Sequence, residues 1–455
     1  MLQKLFTTLG FIFFIQIVVI AQIEDKQVTT EEKESTITQL AQLLRNRYLS
    51  AEEGARLSEM LLDNMKKGKY IPFSSAIKFA NQLTLDMRAI VQDNHLKISY
   101  DPPYLKRLGK LIQGANKKKP NDEIIRQLQL EQFRNFRMPT VQRLNGNIGY
   151  LKIDFFLPTE NNKGFEEKMA IAFDFIADSD ALIIDLRENP GGYASGSNLF
   201  ISYFFPPQTH FMTSSGRIEG KYMERKSFTL KKVNGKKYLD KPVYILTSSR
   251  TGSAAESIAH IIKHSARGKI IGEASYGAGY MGDDYNLDHQ YHVLVSYASG
   301  KHPNAKRNWE ATGVIPDIKI AADQAFTKAH FIAIKDLLTE FQNNDLISDF
   351  RKKRLQWELS RLELLPEKRK LSLQEQNAFV GTYGDKKILQ EENNLFIEII
   401  VNLKPLKYKL IALANDQFLI QGRESYRLSF ARNNKGEVTS LKYYSVNKTS
   451  TSIKQ

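Results

Sequence analysis

Three short apolar runs constrain the fold of this chain more than any other feature. They are Ala181-Leu-Ile-Ile-Asp-Leu186, Val243-Tyr-Ile-Leu246 and Lys269-Ile-Ile-Gly272. None alternates as a half-exposed strand does; the first two read as strands buried on both faces and the last as a third strand. Helical periodicity interleaves with them, from Phe165 to Ala177 and from about Ser253 to His264. Asn147 to Asp154 alternates and adds a further strand. Strands alternating with helices predict an α/β core with a largely parallel sheet.

The flanks read differently. Ile37, Leu40, Leu43 and Leu44 recur at helical spacing, as do Leu57, Met60, Leu61 and Met65, and Phe73 to Val91 continues the pattern. A polar, basic stretch from Asp101 to Asn121, with Pro102-Pro103 and Pro120, predicts a connector. Residues 325 to 368 read as charged amphipathic helices. From about 372 short alternating segments take over, beginning with Phe379-Val-Gly-Thr-Tyr383. Turn signals at Asn393-Asn394, Asn415-Asp416 and Asn433 to Gly436 punctuate them, which predicts a small antiparallel β domain.

The N-terminus predicts export. Lys4 is the only charge before Glu24, and the run from Leu5 to Ala21 is apolar and ends in Val19-Ile20-Ala21. That is the pattern of a secretory signal peptide cut after Ala21. Thr7, Thr8 and Gln16 interrupt the run, which is short for a membrane span. The expected location is periplasmic or extracellular, in a bacterium, with no stable span after cleavage. The expected division is a signal peptide over 1–21, a helical domain with its connector over 22–135, an α/β core over 136–325, a helical linker over 326–371 and a β domain over 372–455.

Composition removes several function classes. There is no Cys, hence no disulfide, no Cys metal site and no thiol nucleophile. The net charge of +15 is spread along the chain. Its sharpest run, Lys117-Lys118-Lys119, has no aromatic interleaving and reads as a solvated loop, so no nucleic-acid partner is expected. Asp288-His289-Gln-Tyr-His292 is the one close His pair in a β-like stretch, and in a strand a spacing of three turns the two rings to opposite faces. No metal and no cofactor are expected.

Two segments carry chemistry. The strand ending at Leu246 runs into Thr247-Ser-Ser-Arg-Thr-Gly-Ser253, and a helix begins there. A Ser at a helix start sits beside backbone N–H groups that can hold an oxyanion. The same residues also spell a capping box, Ser253 with Glu256 three residues on. Asp185-Leu-Arg-Glu-Asn-Pro-Gly-Gly192 follows a buried strand directly, and its glycines allow a close backbone approach.

In this order the two segments resemble the carboxy-terminal processing (tail-specific) serine peptidases, whose pattern is completed by the strand ending Ile271-Gly272-Glu273. The resemblance covers about residues 25 to 325 and implies a crotonase-like α/β peptidase core. It implies Ser253 as nucleophile, with Gly191 and Ala254 supplying the oxyanion hole. The Lys of the family's Ser–Lys branch falls on Ala278 here, so that dyad is absent. His260, about 10 Å along the helix from Ser253, is too far to replace it. Asp93-Asn94-His95 is similar to the Asp-x-His motif of the other branch, which includes the tricorn core and the retinoid-binding repeats of the eye. Glu310, ahead of Gly313-Val-Ile-Pro-Asp317, matches that branch's Glu. The resemblance thus implies His95 as base and Glu310 as its orienter, acting directly or through a second hydroxyl. The expected activity is cleavage of peptides or unfolded protein through an acyl-enzyme. The alternatives are a non-catalytic binding protein for a peptide or hydrophobic ligand on the same scaffold, and a non-peptidase acyl hydrolase.

Overall fold

A computed structural model describes residues 24–102, 122–160, 162–218, 221–342, 344, 346–365 and 368–455. The expected signal peptide and the Lys117–Lys119 run lie outside the described residues. The chain divides into two compact units, residues 1–329 and 330–455.

In the first unit, α1 (Thr30–Arg47), α2 (Ala51–Lys66) and α3 (Ala76–Ile90) precede β1 (Lys97–Tyr100) and α4 (Asp122–Phe133). Thr29, Ser50 and Ser75 each accept a backbone N–H three residues on, which fixes where the three helices start. Then come β2 (Thr140–Leu144), β3 (Ile148–Lys152), α5 (Lys163–Ile176), β4 (Ala181–Asp185) and α6 (Ala194–Ile201). A hairpin of β5 (His210–Ile218) and β6 (Lys221–Phe228) leads to β7 (Val243–Thr247), α7 (Ser253–His264) and β8 (Lys269–Gly272). The unit is completed by β9 (Tyr280–Asn286), β10 (Tyr291–Lys301), β11 (Ile318–Lys319) and the first part of α8 (Ala322–Phe341).

Two sheets result. The central one has the order β11-β8-β7-β4-β3-β2, parallel from β3 to β11 with β2 antiparallel at one edge. β4 and β7 are buried at every position, as their continuous apolar runs require. Phe165 and Phe173 of α5, Phe200 of α6 and Ile258 of α7 pack with Leu182, Ile184, Ile245 and Ile270 in one cluster. Phe173 stacks face to face on Tyr203 at 3.9 Å between centroids.

The second sheet runs β1-β10-β5-β6, with β9 also paired to β10. The N-terminal helices rest on it. Ile37, Leu44, Leu57, Phe79 and Leu83 share a cluster with Ile98, Tyr291, Val293 and Val295. The helical region therefore has its core in common with strands some 200 residues later in the chain. This packing brings the loop after α3 to the rim of the α/β core.

The second unit contains α9 (Asp349–Leu364), α10 (Leu373–Phe379) and the strands β12 (Gly381–Tyr383), β13 (Lys386–Glu391), β14 (Asn394–Val401), β15 (Lys404–Ala412), β16 (Gln417–Ile420), β17 (Tyr426–Arg432), β18 (Val438–Ser445) and β19 (Thr449–Ile453). The eight strands pair in sequence order, and Gln455 N donates to Thr382 O at 2.9 Å, bringing the last segment back to the first strand. The outcome is an antiparallel, barrel-like sheet filled by Phe379, Phe418, Phe430 and their neighbours. The turns fall at the Asn-rich signals, where Asn393, Asn415 and Asp416 take positive φ.

Candidate active site

The segment leading to Ser253 is built by tying one loop to another. β7 ends at Thr247 and α7 starts at Ser253. In between, Thr251 Oγ1 donates to Leu186 O at 2.8 Å and Gly252 N donates to Asn189 O at 3.0 Å. The Ser loop is thus fastened to the turn after β4. Ser253 itself has φ 47°, a left-handed conformation that costs a non-glycine residue roughly 1–3 kcal/mol. Surrounding hydrogen bonds must hold it there.

The capping-box reading is half right. Glu256 does reach back to Ser253 N, at 2.7 Å. The N-cap position, however, is Gly252, and no side chain caps the helix. The Ser253 hydroxyl is spared and lies 3.1 Å from His95 Nε2. The Glu256 carboxylate also takes Ala278 N at 2.9 Å, Gly277 N at 2.6 Å and the Ser275 hydroxyl at 2.6 Å. Burial pushes its pKa up, against the pull of those four donors.

Gly191 sits against Ser253. Its φ is +123°, and a Cβ there would fall 2.8 Å from Ser253 Cβ and 3.0 Å from Ala254 N. Only glycine fits both the conformation and the space. Ala254 N lies in the first turn of α7, where amides have no intrahelical acceptor. Gly191 N donates to Asn189 Oδ1 at 2.8 Å, so it reaches an oxyanion only by sharing or leaving that bond.

His95 lies in the loop between α3 and β1, buried. Burial lowers its pKa, opposed by the charge of Asp93 and by a backbone hydrogen bond with Tyr280. The ring therefore stays neutral near neutral pH, as a general base requires. Glu310 is brought to the same place but acts on backbone. Its Oε1 accepts Asn94 N at 2.8 Å, and its Oε2 accepts Gly279 N at 2.5 Å and Tyr280 N at 2.9 Å. It clasps the residue before His95 to the strand beside the ring. Burial pushes its pKa up to about 7.

Sequence reasoning had no signal for Arg88 or Tyr48, and Asn189 was visible only as part of the Asp185–Gly192 segment; all three hold these loops through backbone and buried polar groups. Ala278, onto which the Lys of the Ser–Lys branch falls, is buried, donates its N–H to Glu256 and accepts the Trp309 Nε1–H at its carbonyl. Lys263 is occupied with Ile315 O and Asp317. His260 is buried and its Nε2 accepts His302 N at 3.2 Å. His289 and His292 fall in a turn and at the start of β10. Among the described residues no group of three or more His, Asp or Glu is arranged to hold a metal ion, and no helix is long and apolar enough to cross a membrane.

Residues 147–320 match Peptidase family S41, and residues 28–134 match the N-terminal domain of Peptidase S41 in eukaryotic IRBP. The carboxyl-terminal-processing protease of Synechocystis sp. is 27% identical over 168 residues, 35% of this chain and 37% of that protein. The carboxy-terminal processing protease CtpB of Bacillus subtilis is 23% identical over 168 residues, 37% of this chain and 33% of that protein. The chain thus aligns with about a third of the length of these curated relatives. A lipoprotein from Streptococcus agalactiae is similar in structure, with a TM-score of 0.46 and 15% identity over 67% of this chain and 96% of that one.

Proposed function

The chain belongs to peptidase family S41, and from that premise we propose that it is a serine endopeptidase acting on peptides or unfolded protein. The observation that supports this best is the 3.1 Å approach of His95 Nε2 to the Ser253 hydroxyl, across 158 residues of sequence. With its own proton on Nδ1, His95 takes the Ser253 proton at Nε2 as Oγ attacks the substrate carbonyl. The oxyanion is met by Ala254 N and, once it turns from Asn189, by Gly191 N. Collapse breaks the C–N bond, and His95 returns the proton to the leaving amine. Water then repeats the sequence, giving its proton to His95 and its oxygen to the acyl carbon, and Ser253 is restored. Glu310 serves this cycle by fixing the loops around the ring. No metal or cofactor takes part.

The apolar N-terminal run supports an exported enzyme that works in the periplasm or outside the cell. Cleavage toward protein C-termini is the substrate preference that the named relatives suggest.

The test is labelling with a fluorophosphonate, followed by digestion of an unstructured protein. Wild type should label and cleave, and Ser253→Ala and His95→Ala should do neither above about 10⁻³ of the wild-type rate. Absence of labelling in the wild type, or equal labelling of Ser253→Ala, overturns the assignment. Labelling without cleavage of any peptide bond would point to an acyl hydrolase of another kind.

A further inference from the structure

The loop that carries His95 is short and irregular, and Asp93, His95 and Leu96 in it are buried, so its backbone needs partners. Arg88, on the last turn of α3, takes its carbonyls: Nε donates to Leu96 O at 2.9 Å and Nη2 to Asn94 O at 2.7 Å. The amides go to one side chain. Asp93 Oδ1 accepts His95 N at 2.9 Å and Leu96 N at 3.0 Å. Asp93 Oδ2 accepts the Tyr48 hydroxyl at 3.1 Å. Tyr48 ends α1 and is itself buried.

A carboxylate 1% exposed is an expensive way to cap two amides, because burying a charge costs far more than burying a neutral acceptor. An Asn or Ser could accept the same bonds. What only the carboxylate adds is charge beside an imidazole that becomes cationic when it takes the Ser253 proton. We propose that Asp93, fixed by Tyr48, is a positioning residue for the base. It sets the backbone of His95 so that Nε2 meets Ser253, and its charge stabilises the imidazolium formed during acyl transfer. The inference rests on the peptidase reading above.

The surroundings agree. Of the influences that favour the charged ring, Asp93 is the largest, ahead of the Tyr280 backbone; Arg88 and burial oppose it. The other ionisable groups at this place are Tyr48, Tyr280, Glu256 and Glu310. Glu310 spends its two oxygens on backbone amides and does not figure among the influences on the ring. The role that serine peptidases give to a carboxylate hydrogen-bonded to the imidazole is here served from two residues upstream in the chain, through the main chain and through space.

The decisive variant is Asp93→Asn, which keeps an oxygen for the two amides, removes the charge and leaves the Tyr48 hydroxyl able to turn and accept from the new NH2. Its kcat should fall about tenfold or more, a fraction of what a positioned general base contributes, with KM within about twofold. The acid limb of kcat/KM should move to lower pH, because Asp93 raises both His95 and Glu310. The His95 ring resonances followed by NMR should titrate lower by the same sign. An unchanged kcat with an unmoved limb overturns the proposal. So does a fall in kcat that follows a lowered Tm with the limb in place, since that is a purely structural role. If Asp93→Asn does not fold, Tyr48→Phe decides: a severalfold lower kcat at unchanged KM supports the proposal and an unchanged kcat overturns it. Failure of the peptidase reading itself looks different, because wild-type protein would then not label at Ser253.

Discussion

Ser253 and His95 meet at 3.1 Å, yet the two sides of the pair are held by unlike devices. On the nucleophile side, Glu256 gathers four donors from the start of α7 and from residues 275–278, and it is fully buried. On the base side, Glu310 gathers three amides, from the His95 loop and from residues 279–280, and it is only partly buried. The two carboxylates clasp adjacent halves of one connection between β8 and β9. One fixes it to the nucleophile and the other fixes it to the base. The nucleophile clasp lies inside the parallel core, shielded from water. The base clasp lies where the N-terminal helices and the second sheet meet that core, and its carboxyl titrates near neutrality. A rigid half and a pH-sensitive half therefore share the same loop.

The rigid half should break most sharply at Gly191. Gly191→Ala places a Cβ against Ser253 in a left-handed conformation. Strain of roughly 1–3 kcal/mol, added to the contact, should shift the nucleophile. The expected result is a fall in kcat/KM of about 10² or more, together with loss of fluorophosphonate labelling, while circular dichroism stays native. Retention of more than about a tenth of wild-type labelling would show that the glycine is not the reason the segment is shaped as it is.

Glu256→Gln should come next. An amide in place of the carboxylate turns a donor toward either Ser253 N and Ala278 N or Gly277 N and the Ser275 hydroxyl. A buried donor left facing donors costs about 1–3 kcal/mol. For a unit of this size that is about 2–4 °C of Tm per kcal/mol. Thermal unfolding and kcat should both suffer, and neither effect should depend on pH between 6 and 8 more than in wild type. A variant with unchanged Tm would mean that the clasp is not rigid.

The sequence made these halves unequally legible. β4, β7 and α7 carry their burial in continuous apolar runs and a capping pattern, so the position of the elements around Ser253 could be read. β6 could not be read, because Lys221–Phe228 is almost entirely exposed and has no apolar alternation. α10 was hidden inside a stretch that reads as strand, although Ser372 and Glu375 form a complete capping box ahead of it. Gly252 took the cap position that the sequence suggested for Ser253, because the left-handed turn moves the helix start without changing a residue. Glu310 could be picked out by resemblance, but its partners could not. They are main-chain amides, which every residue but proline owns and which leave no trace in the order of side chains.

The smallest and most discriminating effect should come from Glu310→Gln. In the wild type the folded carboxyl titrates at about 7, above its ordinary 4.5. Between those values the folded protein binds more protons than the unfolded chain. The stability contributed by this group is thus fully present below about pH 4.5 and is lost as pH rises through 7. Activity should run the other way, since only the ionised carboxyl accepts three amides without offering a proton of its own. Wild-type kcat/KM should therefore climb as pH rises through about 7 while Tm declines slightly over the same interval. In Glu310→Gln both trends should flatten. The plateau should fall about tenfold, because either the Asn94 amide or the Gly279 and Tyr280 amides together then face a donor. Measured side by side, pH profiles of kcat/KM and Tm for the two carboxylate variants test the comparison directly. If Glu310→Gln keeps the wild-type limb near 7, the limb belongs to another group, and the base side is no more pH-sensitive than the nucleophile side.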